Sequence, residues 1–313
     1  MTVSHTRFLL GSAPTWGQNA TGTMTTTAPA GSQLFTEADM AEGTATRFCG
    51  GHAVVFSQRC PGMERPNEDA AALIPFSGDG GLLIVADGVG GHKAGAQASG
   101  LAISLVATSV RRARREGTDL RNAVLNGVEA ANHAIAGLGV GAGTTLAIVE
   151  IAGRSVRSFH VGDSMILTVG QRGRVKMQTV PHSPTGYAVE AGLLDAHEAL
   201  HHEERHLVSN MLGTPDMRVE MGSTMRLADR DTVVLASDGL SDNLTEEEIV
   251  EMVRKGPLER AARRLAVTAR TRMEREGEGQ GPSKPDDLTF VLFRLSALRA
   301  SRKPTCPPAP PMV

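Results

Sequence analysis

Four apolar runs follow one another in the middle of the chain with only a few residues between them. They cover residues 144–151, 154–161, 164–169 and 174–180. Strands joined so closely must pair antiparallel, because a parallel crossover needs about a dozen residues or more. This region therefore predicts antiparallel sheet.

The rest of the chain alternates strand-like runs with blocks of two helices. Three more apolar runs are predicted as strands: 52–57, 70–76 and 81–86. Four segments are predicted as helices: 94–115, 120–136, 246–253 and 257–275. Thr245 and Glu248 form a capping box at the third, and Pro257 suits the first turn of the fourth. Such blocks, in place of strict βαβ units, indicate an α+β protein with helices outside antiparallel sheets.

Several of the apolar runs have an aspartate at one end. Asp87 and Asp238 each stand between an apolar run and a glycine, Asp163 follows a third run, and Asp286 with Asp287 opens the last one. A single Asp-Gly pair is commonly only a turn. Four strand ends that offer carboxylates, with no Cys or His pair among them, form an all-oxygen set that suits Mg²⁺ or Mn²⁺ better than zinc.

An acidic pair, Glu68 and Asp69, precedes the run that starts at Ala70. This pair belongs to a series of six short motifs: Asn67-Glu68-Asp69, Ala86 to His92, Gly143-Thr144-Thr145, Val161 to Ser164, Ser237 to Leu240, and Asp286 to Thr289. In this order, over about residues 50–296, they resemble the metal-dependent protein serine/threonine phosphatases, the type 2C or PPM family. The resemblance implies a four-layer α/β/β/α sandwich of two antiparallel sheets flanked by helices.

The resemblance also implies a centre of two divalent cations, Mn²⁺ or Mg²⁺, and a role for each ligand. Asp87 would bridge the two ions, and Gly88 would lend its carbonyl oxygen to one of them. Asp238 and Asp286 would complete the shell of the second ion. Asp163 matches the residue that helps to hold a third ion in some members.

Glu68 and Asp69 are assigned to catalysis by the same resemblance, largely through waters on the ions. The choice between Asp286 and Asp287 rests on the family's usual Asp-Asn pair at this point. Alignment through Thr289 places Asp286 on the aspartate and Asp287 on the asparagine.

The phosphate-binding arginine departs from the family pattern. Its common slot, five residues before Asp69, is Glu64 here. Arg65 is the candidate, because a guanidinium fork fits phosphate oxygens, and Arg59 is the alternative. A surface ion pair remains an equally good interpretation of Arg65.

Two histidines flank the predicted site, and either could protonate the leaving alkoxide, because imidazole titrates near neutrality. His92 is the candidate catalytic residue, and His160 is the other; for each, a histidine with ordinary structural partners is the commoner outcome. His182 matches a family element that we interpret as structural. Met165 stands where the family normally has arginine.

Three segments are predicted from composition and from the resemblance. Residues 1–46 are rich in Thr, Ala, Gly and Ser without a sustained period and are predicted to be disordered. Residues 47–297 form the phosphatase domain, within which 181–217 corresponds to the family's flap beside the active site. Residues 298–313 form a proline-rich tail.

Charge and cysteine content narrow the possible partners and the compartment. Lys and Arg total 32 against 34 Asp and Glu, so the net charge of -2 gives no reason to expect nucleic acid or an anionic membrane. The three cysteines lack Cys-x-x-Cys spacing, and no apolar stretch reaches the length of a membrane span. We therefore expect a cytoplasmic protein, and the sequence leaves its oligomeric state open.

The function predicted from these observations is hydrolysis of phosphoserine or phosphothreonine in proteins by a water molecule that a binuclear metal centre activates. Its partners would be phosphorylated proteins, substrates of serine/threonine kinases. The chain has no Cys-x-x-x-x-x-Arg loop of a thiol phosphatase and no P-loop. Two alternatives stay open: a non-catalytic phosphoprotein-binding or scaffold relative, and a phosphatase of one regulator, such as an anti-anti-sigma-type protein.

Overall fold

The computed structural model describes residues 31–89, 93–200, 202–275 and 282–296. Within them the chain forms these strands: β1 (Gln33–Thr36), β2 (Thr44–Phe48), β3 (Gly51–Gln58), β4 (Ala70–Pro75), β5 (Gly80–Ala86), β6 (Gly88–Val89), β7 (Gly143–Thr144), β8 (Leu146–Ala152), β9 (Ser155–Val161), β10 (Met165–Val169), β11 (Val175–Gln178), β12 (Glu220–Met221), β13 (Met225–Arg226), β14 (Thr232–Ala236) and β15 (Leu288–Leu295). The helices are α1 (Lys93–Glu116), α2 (Leu120–Ala136), α3 (Pro184–Glu190), α4 (Ala196–Ala199), α5 (Asp238–Ser241), α6 (Glu246–Val253) and α7 (Leu258–Glu274). Each of the four predicted helices is present.

The strands form two large sheets in which every pairing is antiparallel. One sheet has the order β1-β4-β5-β8-β9-β12, with β13 also beside β9. The other has the order β11-β10-β14-β15-β3-β2. The short strands β6 and β7 pair separately. The prediction of antiparallel sheets is confirmed.

Three apolar cores separate four layers. Alternate residues of β5 point to opposite faces of its sheet, as strand geometry requires. Leu82 and Ile84 pack with α1 and α2, whereas Leu83 and Val85 pack in the core between the sheets. A third core joins the second sheet to α6 and α7. Because both faces of the central strands are buried, their sequences read as continuous apolar runs, and the predicted four-layer sandwich is confirmed.

The successive runs 154–161 and 164–169 do not pair with each other. They become β9 and β10, which lie in different sheets, so the prediction of antiparallel pairing is wrong at this one step. The chain crosses between the sheets at Gly162, whose φ is +98°, and a Cβ there would lie 2.7 Å from the Thr145 side chain. The crossover places Asp163 at the edge where both sheets end.

The predicted disorder of residues 1–46 is corrected for its last part. Strand β1 pairs with β4 through Gln33 and Leu73, and β2 pairs with β3 through Thr44 and Val55. Both are edge strands whose hydrogen bonds come from partners distant in sequence, which local composition does not reveal. Residues 1–30 and the tail at 298–313 lie outside the described residues. In the part of the chain that the structure describes, no helix is long and apolar enough to cross a membrane.

Candidate active site

Strand ends from both sheets converge at one edge of the molecule. Each presents a predicted metal ligand: Asp87 after β5, Asp163 after β9, Asp238 after β14 and Asp286 before β15. Burial first, and then the charges of Asp69 and these other aspartates, raise the pKa of Asp87 well above its usual range. The structure therefore brings the four carboxylates and Asp69 into one cluster.

The backbone at Asp87 is held by two threonines of the Gly-Thr-Thr motif. The Asp87 N–H donates to Thr145 Oγ1 over 3.1 Å, and its carbonyl oxygen accepts from Thr144 Oγ1 and from the Thr145 N–H. Thr145 Oγ1 also lies 2.7 Å from Ser164 Oγ, beside the crossover. The motif thus fixes the Asp87 turn to the segment that positions Asp163.

Gly88 lies where two segments approach its backbone too closely for a side chain. A Cβ there would lie 2.3 Å from the Gly95 carbonyl oxygen and 2.6 Å from that of Glu68. Glycine is therefore needed to bring the first turn of α1 and the Glu68 segment against the Asp87 turn.

Asp69 lies beneath the cluster and is only 1% exposed. Ser237 donates its hydroxyl to Asp69 Oδ2 over 2.7 Å, and Asn67 Oδ1 accepts the Asp69 N–H. Burial, followed by the charge of Asp287, raises the pKa of Asp69, while the Ser237 hydrogen bond opposes the shift. Asp69 thus joins the loop before β4 to the end of β14, and half-buried Glu68 precedes it at the edge of the cluster.

Asp286 and Asp287 have different surroundings. Asp287 is 3% exposed, and its oxygens accept from the Cys60 N–H, the Glu68 N–H and Arg65 Nη1 at 2.6–2.7 Å. Asp286 is half-buried and contributes to the raised pKa of Asp87. The geometry favours Asp286 as the metal ligand, because Asp287 is fully occupied in holding the loop from Cys60 to Glu68.

The two candidate arginines are also separated by their surroundings. Arg65 Nη1 lies 3.1 Å from Glu68 Oε2 and 2.6 Å from Asp287 Oδ2, and the side chain is 18% exposed. Arg59 pairs with Asp39 at the surface, where both side chains are 45% exposed. Arg65 is therefore the guanidinium beside the carboxylates, although its ion-pair role is present as well.

The donor set fits hard divalent cations. Burial, and next the charge of Asp238, raises the pKa of Asp163 to about 7 and that of Asp286 to about 6. Carboxylates that repel one another in this way are stabilised when a doubly charged cation lies among them. All the donors are oxygens, as Mg²⁺ and Mn²⁺ prefer.

Comparison with known proteins gives the family. Residues 61–275 match the family model described as protein phosphatase 2C. The chain belongs to the protein phosphatase 2C family. This membership confirms the resemblance that the six motifs indicated.

Three bacterial relatives illustrate the similarity of this phosphatase 2C chain to characterised proteins. The serine/threonine protein phosphatase PstP of Mycobacterium tuberculosis is 33% identical over 218 residues, which are 67% of this chain and 40% of PstP. Protein phosphatase PhpP of Streptococcus pneumoniae is 31% identical over 179 residues, 55% of this chain and 72% of PhpP. The structure of the S. agalactiae serine/threonine phosphatase is 26% identical, covers 78% of this chain and 99% of its own, and has a TM-score of 0.66.

A solved structure of the PstP catalytic domain contains two manganese ions. It is 27% identical to this chain, covers 77% of it and 96% of its own chain, and has a TM-score of 0.59. The similarity to this manganese-containing domain therefore extends over about three quarters of the chain.

Sequence reasoning missed two charged residues of this phosphatase 2C site. Lys284 Nζ lies 2.5 Å from Asp238 Oδ2, 2.9 Å from Asp242 Oδ2 and 3.1 Å from Asp286 Oδ2. Burial alone lowers the pKa of Lys284, but the three carboxylate charges outweigh it and raise that pKa. Asp242 could have been found from its spacing of one helical turn after Asp238, whereas Lys284 lies in a segment that reads as a polar loop.

The histidine predictions have different outcomes. His92 lies outside the described residues. His160 is buried, its Nε2 lies 3.1 Å from the Val180 carbonyl oxygen, and its ring stacks on His182 with centroids 4.3 Å apart. Burial first, and then the charge of His182, lowers the pKa of His160. His160 therefore has the structural partners of an ordinary buried histidine.

His160, His182 and Glu220 lie close enough together to suggest a second metal site. His182 Nδ1 is 3.1 Å from the Gly162 N–H, which can only donate, and 2.8 Å from Asn210 Nδ2. A neutral His182 must therefore carry its proton on Nε2, which faces Glu220 Oε2 at 3.3 Å. This tautomer leaves no lone pair on Nε2 for a metal, so we interpret the cluster as structural.

Residues 181–217, the segment that the resemblance predicts to be the flap, are closed at their base. The His182 N–H donates to the Gly162 carbonyl oxygen, and the Ser209 N–H donates to the His182 carbonyl oxygen. Leu212 and Thr144 then exchange two backbone hydrogen bonds. Between these attachments the flap contains α3 and α4 and exposes Leu193 and Leu207.

Proposed function

We propose that this protein removes phosphate from phosphoserine and phosphothreonine in other proteins, with two divalent cations, Mn²⁺ or Mg²⁺, as cofactors. The observation that supports this most directly is the all-oxygen cluster at the strand ends, in a chain of the protein phosphatase 2C family. PstP, a serine/threonine protein phosphatase by name, has a catalytic domain of similar fold that binds two manganese ions.

Four groups would hold the cations. The Asp87 carboxylate would bridge them, the Gly88 carbonyl oxygen would bind one, and Asp238 and Asp286 would bind the other. When bound, such cations neutralise phosphate charge and lower the pKa of a water molecule so that it can act as a nucleophile at neutral pH. Asp163, whose pKa is raised by burial and next by the charge of Asp238, would hold a third cation if one binds.

The chain's own residues would position the substrate and the water. Glu68 and Asp69 would accept hydrogen bonds from waters between the carboxylates. Arg65 would donate its free N–H groups to a phosphate oxygen, while Asp287 keeps the guanidinium in place. His92 is our proposed proton donor to the leaving serine or threonine oxygen.

We further propose that the substrates are products of serine/threonine kinases and that the protein acts in the cytoplasm, without nucleic acid or membrane as a partner. Cys49 and Cys60 are free thiols, which suits a reducing compartment. No oligomeric state is assigned.

The test is hydrolysis of a phosphothreonine peptide by the purified protein in Mn²⁺, in EDTA, and with the Asp238→Asn variant. Asp229→Asn is the matched control, because Asp229 pairs with Arg154 at the surface, away from the cluster. Turnover in Mn²⁺ that is lost in EDTA and in Asp238→Asn, but kept in Asp229→Asn, supports the proposal. A folded, metal-bound protein without turnover on phosphoserine and phosphothreonine peptides contradicts it and favours the scaffold alternative.

A further inference from the structure

Lys284 places a positive charge among the carboxylates proposed to hold a cation. Its Nζ contacts one oxygen each of Asp238, Asp242 and Asp286, at 2.5–3.1 Å. Asp238 and Asp286 are the two side chains assigned to the second metal ion, an assignment that rests on the proposed function. An ammonium group and a divalent ion repel each other and cannot share these oxygens, because a metal ion of this kind lies about 2.0–2.2 Å from its ligands.

The backbone of Lys284 is held in place by a single buried amide. The Lys284 N–H donates to Asn243 Oδ1, and its carbonyl oxygen accepts from Asn243 Nδ2, each over 2.8 Å. Asn243 is fully buried and also donates to the Gly239 carbonyl oxygen in α5. The lysine is therefore fixed beside the helix that begins with Asp238, and its position is built into the fold.

The two positively charged side chains at the cluster, Arg65 and Lys284, make their closest contacts with different carboxylates. Arg65 makes its close contacts with Glu68 and Asp287. Lys284 is the cation that the described residues bring within 3.1 Å of Asp238 and Asp286. Without metal, the removal of Lys284 would leave Asp286 with the longer, 3.9 Å contact to Arg65 Nη2, and would remove the ammonium group that lies 2.5 Å from Asp238.

We propose that Lys284 is a tethered counter-cation that competes with the second metal ion for Asp238 and Asp286. In the metal-free protein its ammonium group neutralises the cluster and stabilises the fold. When a metal ion takes these two carboxylates, the ammonium group withdraws to Asp242, which the proposed metal shell does not use. Lys284 thus lowers the affinity of one metal position and makes metal-free protein more stable.

The competition predicts effects of opposite sign in one variant. Lys284→Met keeps most of the side-chain volume and removes the charge. In EDTA its midpoint of thermal unfolding should fall by several degrees relative to the wild type, and saturating Mn²⁺ should close this gap. Calorimetric titration with Mn²⁺ should show the weaker site tightened about tenfold, because a nearby competing charge is gone.

Lys176→Met is the matched control. Lys176, in β11, pairs with buried Asp231 at 2.6 Å, and Asp231 directly precedes β14, at the end of that strand opposite Asp238. Its loss should lower the unfolding midpoint equally in EDTA and in Mn²⁺ and leave Mn²⁺ affinity unchanged. Lys284→Arg keeps the charge and provides a second test if Lys284→Met does not fold. It should bind Mn²⁺ no more tightly than the wild type.

The outcomes separate this inference from the proposed function. If the wild type binds Mn²⁺ and Lys284→Met binds it with the same affinity, the competition is overturned and the phosphatase proposal stands. The same conclusion follows if Lys284→Arg binds Mn²⁺ ten times more tightly than the wild type. Failure of the wild type to bind Mn²⁺ at all overturns both.

Discussion

The acidic cluster has two halves, one around Arg65 and one around Lys284, whose carboxylates are partnered in different ways. In the arginine half, formed by Arg65, Glu68 and Asp287, the carboxylate of Asp287 is buried and accepts three hydrogen bonds. In the lysine half, Lys284 contacts three half-buried carboxylates, among them Asp286. The Asp287 carboxylate is structural, because its hydrogen bonds are all made within the fold. The three carboxylates around Lys284 share one ammonium group and are therefore available to a ligand. Neighbouring aspartates in sequence can therefore have separate tasks.

The largest expected effect comes from Asp286→Asn in the lysine half. We expect turnover of a phosphothreonine peptide in Mn²⁺ to fall about 10³-fold, because a neutral amide binds a divalent cation poorly; this corresponds to about 4 kcal/mol in the barrier. Stability in EDTA should stay the same or rise, since one of several repelling carboxylates is gone. Steady-state kinetics and urea unfolding measure both, with Asp229→Asn as control; a large loss of stability would place Asp286 in the structural half.

The adjacent substitution, Asp287→Ala, should show the reverse pattern. It removes the acceptor of the Cys60 and Glu68 N–H groups and leaves Arg65 without its closest partner, at a cost of about 3 kcal/mol in the free energy of unfolding. Because no metal ligand is removed, urea unfolding should give the same loss in EDTA and in Mn²⁺. Asp287→Asn should lose less of the free energy of unfolding, since its amide oxygen can still accept a backbone hydrogen bond. A loss confined to one metal condition would contradict the division between the halves.

The pH dependence of stability should also reveal the repulsion among the carboxylates of the lysine half and the neighbouring Asp163. Asp163 and Asp286 have pKa values of about 7 and about 6 against an ordinary value of 3.8. Between pH 4 and 7 the folded protein therefore holds more protons than the unfolded chain at these groups, so their contribution to stability falls as pH rises. In EDTA, Asp163→Asn should gain on the order of 2 kcal/mol over the wild type between pH 4 and pH 8. Parallel pH profiles for the two proteins would exclude this contribution.

The smallest effect concerns the arginine half and the substrate. Arg65→Lys keeps a charge for Asp287 but loses the guanidinium fork, so kcat/KM should fall about tenfold, chiefly through KM. Arg59→Lys is the matched control, because its exposed pair with Asp39 should leave kcat/KM within about twofold. Equal effects in the two variants would remove Arg65 from phosphate binding.

The sequence predicted those parts of the fold that depend on local periodicity. The apolar runs were identified because the central strands, such as β5 and β14, are buried on both faces. Two of the four helices were marked by a start signal, the capping box at Thr245 and Pro257, and α1 was identified from its apolar face. Strands β1 and β2 were missed because edge strands at Gln33 and Thr44 depend on partners far along the chain. The crossover at Gly162 was misread because a short connection can also step between stacked sheets.

The site was predictable where an aspartate lies at the end of an apolar strand. Asp87, Asp163, Asp238 and Asp286 were identified in this way, and their metal-binding roles remain predictions. Lys284 was not identified, since its position depends on the hydrogen bonds of Asn243, a contact across 41 residues of sequence.

The closed base of the flap has a consequence for how such a protein can diversify. The His182 carbonyl oxygen accepts a hydrogen bond from the Ser209 N–H, and the His182 N–H donates to the Gly162 carbonyl oxygen. The segment 183–208 therefore leaves the domain and rejoins it at one point. The entropic cost of closing a loop grows only slowly with its length. We therefore expect insertions or exchanges within residues 183–208 to disturb neither sheet. The surface that we propose meets a phosphoprotein could then change while the strand ends that carry the carboxylates stay the same.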